Sequence, residues 1–575
     1  MSIRCLFRKS GVVFALFVLL HSPAALSAAP WKFGVMGDTQ WTCADPAGRN
    51  PGTVPVSIIE QVNRQFIDAG VKFVIQVGDL SDDGRELSEE ERVAAACPLI
   101  DAGIGFFAFR GNHEAQKKND NGYGAAGFKI RYPQTCDGVF VTSNGKRYRI
   151  GSNFSSPLKV SRELDGLSYS FDCGEGEERA RFVIIDNWPL PRRVVANSTH
   201  YPSGYTIADQ QPWMSERLDR RKRRTPHAFV LSHQPMIGEG HQDTLFSGYA
   251  NEHPDWQNAF FATLQQNGVR YFISGHDHIH QRSIITSPDG KSQVEQLIAQ
   301  SVSTKFYKPG LLGNDKWFGQ KSRELSISQE RETVGYYIYT IDGPTVTVDY
   351  YSDDHGHWQS DANYPQGVGR PDTSVTPTFH FVKKESWSYS LNGKQFLVPQ
   401  GASYTVVSDR FKGSEARILD GFNASESKDD TLDTAGGKGR PLTKVVSSGW
   451  IAVNSSKHAK EKLASDVLLI SGLGEPGGDP TDTFVLSMRY DPKQLRRGTI
   501  ASWRFGLVTR DSAGRWVNAV EANGGGTATF IDGPWKRGYA LGSHGIDRKR
   551  HRVWAVLNHD GAFAVARFFR KKSEY

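Results

Sequence analysis

Between Trp31 and about Asp277 the chain alternates short apolar runs with longer segments in which apolar residues return every three or four positions. The runs KFGVM (32–36), KFVIQV (72–77), IGFFAF (104–109), RFVIID (181–186), AFVLS (228–232) and RYFIS (270–274) show no alternating polar face. Each therefore predicts a strand buried on both sides. VSIIEQVNRQFIDAG (56–70) and DWQNAFFATLQQNG (255–268) have helical spacing and end at or near glycine, and Ser88 with Glu91 makes a capping box before RVAAACPLI. These features predict three helices. Strand and helix in alternation imply an α/β sheet covered by helices. Beyond 281 the helical spacing fades, and GYYIYTIDGPTVTVDYYS (335–352) has the alternation and central turn of a hairpin that closes this unit.

Residues 356–378 are polar and rich in Pro and Gly, the composition of a linker. After them come short strand-like runs, YTVVS (404–408), KVVSSGWIAV (444–453), FVLSMRY (484–490), ASWRFGLVT (501–509) and VWAVLN (553–558), separated by turn-rich stretches. This pattern predicts an all-β sandwich or barrel over 379–575. At the other end, residues 1–29 read as a secretory leader: Arg4, Arg8 and Lys9, an apolar run from Gly11 to Leu20, then the small residues of SPAALSAA. The apolar run is too short to span a membrane, and no later segment is apolar enough to do so. The expected plan is a leader (1–29), an α/β catalytic unit (30–355), a linker (356–378) and a β-rich accessory unit (379–575). The mature protein is expected to be secreted or periplasmic.

Composition narrows the class. Charged residues at 23%, with aromatics at 11%, exclude a disordered chain or a long coiled coil. The formal charge of +7 includes three cations of the leader; without them 66 basic residues face 62 acidic ones, a net +4 too small to signal nucleic-acid binding. Without Cys5 of the leader, Cys43, Cys97, Cys136 and Cys173 remain, an even number compatible with two disulfides in any of three pairings. The basic runs RRKRR (220–224) and DRKRHR (547–552) read as a solvated helix end and a hydrophilic turn.

The chemistry lies where the apolar strands end. KFGVM runs into GDTQ (37–40), KFVIQV into GDLSDDG (78–84), IGFFAF into RGNHE (110–114), AFVLS into HQP (233–235), and RYFIS into GHDHIH (275–280). In an α/β sheet ligands gather beyond the carboxyl ends of the strands, so five loops offering Asp, Asn and His converge on one crevice. Carboxylates, imidazoles and a neutral amide oxygen suit divalent first-row metals. A metal pair roughly 3.5–4 Å apart can clamp a phosphoryl group for in-line displacement.

At these residues the sequence resembles the calcineurin-like metallophosphoesterases, whose ordered motifs are D-x-H, G-D-x-x-D, G-N-H-D/E, a lone His after a strand, and G-H-x-H; the resemblance covers about residues 31–350. It implies a β-sheet sandwich flanked by helices and two divalent ions, Mn, Fe or Zn. It also implies hydrolysis of phosphate esters by a metal-bridging hydroxide. By the same resemblance Asp79 bridges the metals, Asp38 and His278 complete one site, and Asn112, His233 and His276 the other. His113 is implied as the acid for the leaving oxygen, Asp82 as the group that orients it, and Arg110 as a phosphate contact. Gln40 stands where many members have a histidine ligand, which makes the first site weaker or suited to a harder metal. RGNHE favours monoesters slightly over diesters. A different class is also open: a secreted glycan- or surface-binding protein with a structural metal site, using aromatics such as Trp387, Trp450, Trp503, Trp516 and Trp535 as a sugar platform.

Overall fold

The computed structural model describes residues 29–40, 54–82, 84–115, 127–188, 205–246, 252–303, 305–307, 321–330, 333–353, 378–391, 403–406, 414–421, 431–434, 437–441, 444–451, 463–471, 483–492 and 504–568. The expected leader (apart from Ala29), nearly all of the expected linker, Cys43, Trp503 and the Trp450 side chain lie outside the described residues. The strands that position the site are β1 (Trp31–Met36), β2 (Phe73–Gln76), β3 (Gly105–Ala108), β4 (Ser152–Ser155), β5 (Tyr169–Cys173), β6 (Ala180–Ile184) and β7 (His227–Leu231). They continue with β8 (Tyr271–Ser274), β9 (His280–Thr286), β10 (Gln293–Ile298), β11 (Glu324–Glu330), β12 (Gly335–Asp342), β13 (Thr345–Asp353) and β14 (Phe381–Ser390). The helices longer than one turn among the described residues are α1 (Val56–Ala69), α2 (Glu86–Asp101), α3 (Ile207–Leu218) and α4 (Pro254–Gln266).

Two sheets form. One has the order β14-β13-β12-β1-β2-β3, with β1, β2 and β3 parallel; the other has the order β11-β9-β10-β8-β7-β6-β5-β4, with β6, β7 and β8 parallel. The sheets face each other through aromatic side chains. Phe33, stacked on its in-sheet neighbour Tyr339 at 4.6 Å, meets Phe182 and Phe229 of the second sheet edge-on at 5.0 and 5.2 Å, and Phe107 stacks across the seam on Phe171 at 4.5 Å. Each such ring contributes about 1.5–3 kcal/mol by leaving water. On the outer faces, α1 and α2 cover the first sheet through Phe66, Val62 and Leu99, while α3 and α4 cover the second through Met214, Phe260 and Leu264. This explains why the central strands read as unbroken apolar runs: both faces are covered.

The helices follow their sequence signals with one correction. Gly70 ends α1 in the left-handed region at φ 66°, as its position predicts. However, α2 starts at Glu86 after Arg85, so Ser88 is not its cap. Ser88 and Glu89 are buried within the first turn, where Glu89 Oε1 accepts from Ser81 Oγ at 3.0 Å. Of RRKRR, Arg223 turns inward and donates to the carbonyl of Leu218 at 2.7 Å, closing the end of α3.

The first sheet runs on past the polar segment. β14 pairs with β13 along its length and with strand 444–451, which leads to 467–471, 561–567, 505–510 and 516–518. Trp387 and Tyr389 of β14 are buried in the core between the sheets, and the Arg282 guanidinium lies 3.8 Å over the Trp387 ring. A six-stranded sheet (403–406, 414–421, 484–489, 552–557, 543–547, 529–532) packs on the far part of the first one through Ile418, Leu486, Phe505 and Phe563. The C-terminal region is therefore β-rich, as its pattern predicts. The cysteine expectation fails: Cys97, Cys136 and Cys173 are free thiols, and two disulfides among four cysteines would require a bond among these three. Among the described residues, no helix is long and apolar enough to cross a membrane.

Candidate metal centre

The parallel strands of both sheets deliver their loops to one edge. Asp38 and Gln40 follow β1, Asp79 and Asp82 follow β2, Arg110, Asn112 and His113 follow β3, His233 follows β7, and His276 and His278 follow β8. Two groups with ligand atoms within 4.8 Å of one another result, Asp79–His233–His276 and Asp38–Asp79–His278, all buried and sharing Asp79. His233 Nε2 lies 3.4 Å from Asp79 Oδ2, His278 Nε2 lies 3.6 Å from Asp38 Oδ1, and Asn112 Oδ1 is 3.1 Å from both His233 Nε2 and His276 Nδ1.

The backbone is shaped to bring these groups together. Asp79, His276 and His278 adopt positive φ of 45°, 77° and 52°, a region costly for residues with a Cβ and concentrated at functional sites. Two glycines make the approach possible. A Cβ on Gly111 would stand 2.0 Å from Asp79 Oδ1, and one on Gly275 would stand 2.7 Å from Asp38 Oδ2.

Each imidazole is aimed by its outer nitrogen. His233 Nδ1 is held by the Val77 carbonyl at 2.7 Å and His278 Nδ1 by the Lys305 carbonyl at 2.8 Å, which turns Nε2 of both rings toward the carboxylates. His276 is reversed: Nε2 meets Asp243 Oδ1 at 3.2 Å and Nδ1 faces inward. Such outer contacts fix ring orientation and ligand basicity.

Electrostatics fits a cation. Burial pushes the Asp38 carboxyl up to about 7, with the Asp79 charge adding to it. Burial also works against ionised Asp79, but the His233 and His113 imidazoles outweigh it and hold Asp79 well below the usual carboxylate range. Burial disfavours charged His233 as well, yet Asp79 and Asp38 raise it to about 10. Burial lowers His276, with His241 adding to the effect, and burial with the Lys305 charge lowers His278 far more. Two buried carboxylates need counter-charge, and Gln40 supplies a further sign. Its Nε2 donates to Asp79 Oδ2, while its Oε1 is buried with no partner, an acceptor suited to a metal. The donor set therefore fits two divalent ions sharing Asp79.

Two expected roles are corrected. Arg110 is fully buried, its Nε and Nη2 donating to both oxygens of Asp186 at 2.7 and 2.9 Å, so it is spent on a buried ion pair rather than presented to a phosphate. Asp82 does meet His113, but through its main-chain carbonyl, which accepts from Nδ1; its carboxylate accepts from Lys305 Nζ at 2.9 Å. His113 Nε2 remains on the side of Asp79, 3.9 Å from Oδ2. Three supporting residues had no motif to reveal them: Asp243, Lys305 and Asp186. Glu114, within GNHE, ties two ligand loops together, its carboxylate accepting from the amides of Gly111 and Leu80 at 2.7 and 2.8 Å. Of the other histidines near the ligand loops, His241 stacks on His276 at 4.0 Å, His253 stacks on Trp256, and His280 is buried between the sheets.

Paired sheets with this cluster at their common carboxyl edge define a metal-dependent phosphoesterase domain. Residues 32–280 match the family model for calcineurin-like phosphoesterase, and this part of the chain is a domain of that family. A search of curated proteins finds no match. Among solved structures the chain is similar to GAP50, the anchor in the inner membrane complex of Plasmodium, at 16% identity over 56% of this chain and 85% of that one, with a TM-score of 0.34. It is similar to the purple acid phosphatase PPD1 from yellow lupin (Lupinus luteus) seeds at 15% identity, TM-score 0.35, over 56% of this chain and about half (52%) of the lupin protein. It is also similar to a dimetal phosphatase from Danio rerio at 13% identity over 55% of this chain and 95% of that one, with a TM-score of 0.32.

Proposed function

We propose that the chain is an exported phosphoesterase that uses two divalent cations of the Mn, Fe or Zn kind. The observation that carries this reading is the sharing of Asp79 by two buried ligand groups at one sheet edge. Asp38, Gln40, Asp79 and His278 would hold one ion, and Asp79, Asn112, His233 and His276 the other. When bound, such ions supply Lewis acidity at phosphoryl oxygens and bring the ionisation of a coordinated water toward neutral pH. His276 and His278 are ready to bind as neutral imidazoles, whereas His233 must give up a proton, so cation uptake releases protons. His113, with Nδ1–H donating to the Asp82 carbonyl and Nε2 on the side of Asp79, would hand a proton from Nε2 to the leaving oxygen. Lys305 holds the Asp82 carboxylate and, through its own carbonyl, His278.

The reading covers monoesters and diesters alike, because Arg110, the residue from which the sequence favours monoesters, is committed to Asp186. Export rests on residues 1–29, and a mature protein beginning near Ala28 would support it. The decisive experiment assays purified protein on aryl phosphate mono- and diesters with added Mn, before and after chelation, beside Asp79→Asn. Expected are turnover lost on chelation and restored by Mn, and a drop on the order of 10³-fold or more in the variant. Absence of chelator-sensitive turnover on every ester overturns the enzyme reading. Turnover that survives Asp79→Asn overturns the site.

A further inference from the structure

The outer face of the C-terminal six-stranded sheet carries a cavity of about 290 Å³, remote in sequence from the metal centre and lined by Arg417, Trp535, Asp547, Arg550, Arg552 and Trp554 among others. Its floor is the side of strands 414–421, 484–489 and 552–557 turned away from the core. Ile418, Leu486 and Val553 point inward, while Leu419, Val485 and Trp554 form a separate apolar cluster outside with Trp535 and Tyr539. The loop that carries Trp535 is pinned over this face: Trp554 Nε1 donates to the Gly533 carbonyl at 2.9 Å, and Tyr539 stacks on Trp554 at 5.3 Å.

Two features give the cavity a chemical preference. Trp535 Nε1 and Arg552 Nη1 are buried donors with no acceptor, and an unpaired buried N–H costs about 1–3 kcal/mol. The charges are also unbalanced. Arg417 and Arg552 share Glu415, and Arg550 pairs with Asp547 at 3.5 Å, so three guanidiniums face two carboxylates. Two free donors and one surplus positive charge beside indole rings suit a ligand with an apolar face and an acid group. The basic run 547–552, a plain hydrophilic turn by its sequence, contributes Asp547, Arg550 and Arg552 to this lining.

We propose that this cavity binds an anionic monosaccharide unit, its ring against the indoles and its acid group on Trp535 Nε1 and Arg552. The volume suits one sugar ring. A uronate carboxylate and a sugar sulfate share the required chemistry, and neither is a substrate for phosphoester hydrolysis. The test titrates the full chain with glucuronate, glucose 6-sulfate, glucose and inorganic sulfate, following tryptophan fluorescence and calorimetry. At least one acidic sugar is expected to bind about tenfold or more tightly than glucose or sulfate. The acid that binds identifies the source. Trp535→Phe, which keeps a ring and removes the donor, should weaken that binding at least fivefold while leaving aryl phosphate turnover unchanged. Arg552→Gln should do the same. Binding of glucose or sulfate as tight as that of the acidic sugars, no binding of either acidic sugar, or undiminished binding in Trp535→Phe would each overturn the proposal.

Discussion

Buried histidines occupy two regions of this domain, and they differ in how their nitrogens are used. In the seam between the sheets both nitrogens are satisfied: His227 has Tyr389 Oη at 2.9 Å and the Gly343 carbonyl at 2.8 Å, and His280 has Tyr337 Oη at 2.8 Å and Glu385 at 3.2 Å. At the carboxyl edge, His233, His276 and His278 each give one nitrogen to a carbonyl or carboxylate and turn the other toward Asp38, Asp79 or Asn112. Burial alone therefore does not mark a ligand. An imidazole half-satisfied by the scaffold and aimed at carboxylates does. His113 follows the edge pattern, with Nδ1 engaged by the main chain and Nε2 turned toward Asp79.

The largest expected effect breaks this comparison at His113. His113→Asn should slow an alkyl phosphate by about 10²–10⁴-fold and an activated nitrophenyl ester far less, because that leaving group needs no proton. Equal losses on both would show that Nε2 is not the donor. In the seam the contrast concerns stability. Burial lowers His227 from 6.5 to about 4, so the folded state resists protonation. The stability conferred by neutral His227 is intact above pH 6.5 and is lost as the pH falls toward 4, a total of about 3 kcal/mol. Urea unfolding of chelator-treated protein should show this slope, and His227→Gln should flatten it; an unchanged slope would remove His227 from the account. A smaller effect sharpens the edge. Asp243→Asn should weaken the cation held by His276 by about 10–100-fold while sparing the Asp38 group, measured by calorimetric titration, and equal weakening of both would argue against separate support. The smallest concerns Gln40, where Gln40→His should raise Zn affinity a few-fold relative to Mn; no change in metal preference would place Gln40 outside the ligand set.

The central strands and their terminal loops were legible because a parallel strand buried on both faces is an unbroken apolar run and its ligand follows at once. Asp38, Asp79, Asn112, His233, His276 and His278 all sit within four residues of such an end. What escaped were partners fixed only by the fold. Asp186 is 76 residues from Arg110, although RFVIID ends in an acid at the same edge as the other ligand loops. A buried guanidinium requires a counter-ion, and that requirement was the available signal. Asp243 and Lys305 lie in loops without motif spacing. The cysteines misled because an even count constrains composition, not distance. Nor could composition show that β14, after a Pro- and Gly-rich stretch, returns to the first sheet, because a strand's neighbour is chosen by packing.

That return of β14 gives the polypeptide an awkward place to be cut. A chain ended near residue 378, where composition suggests a clean boundary, would lose Trp387 and Tyr389 from the core and leave Thr345–Asp353 as a bare nine-residue sheet edge with unpaired amides and carbonyls. Such an edge is a template for another copy of itself. Proteolysis there would leave a hydrolase domain prone to self-association.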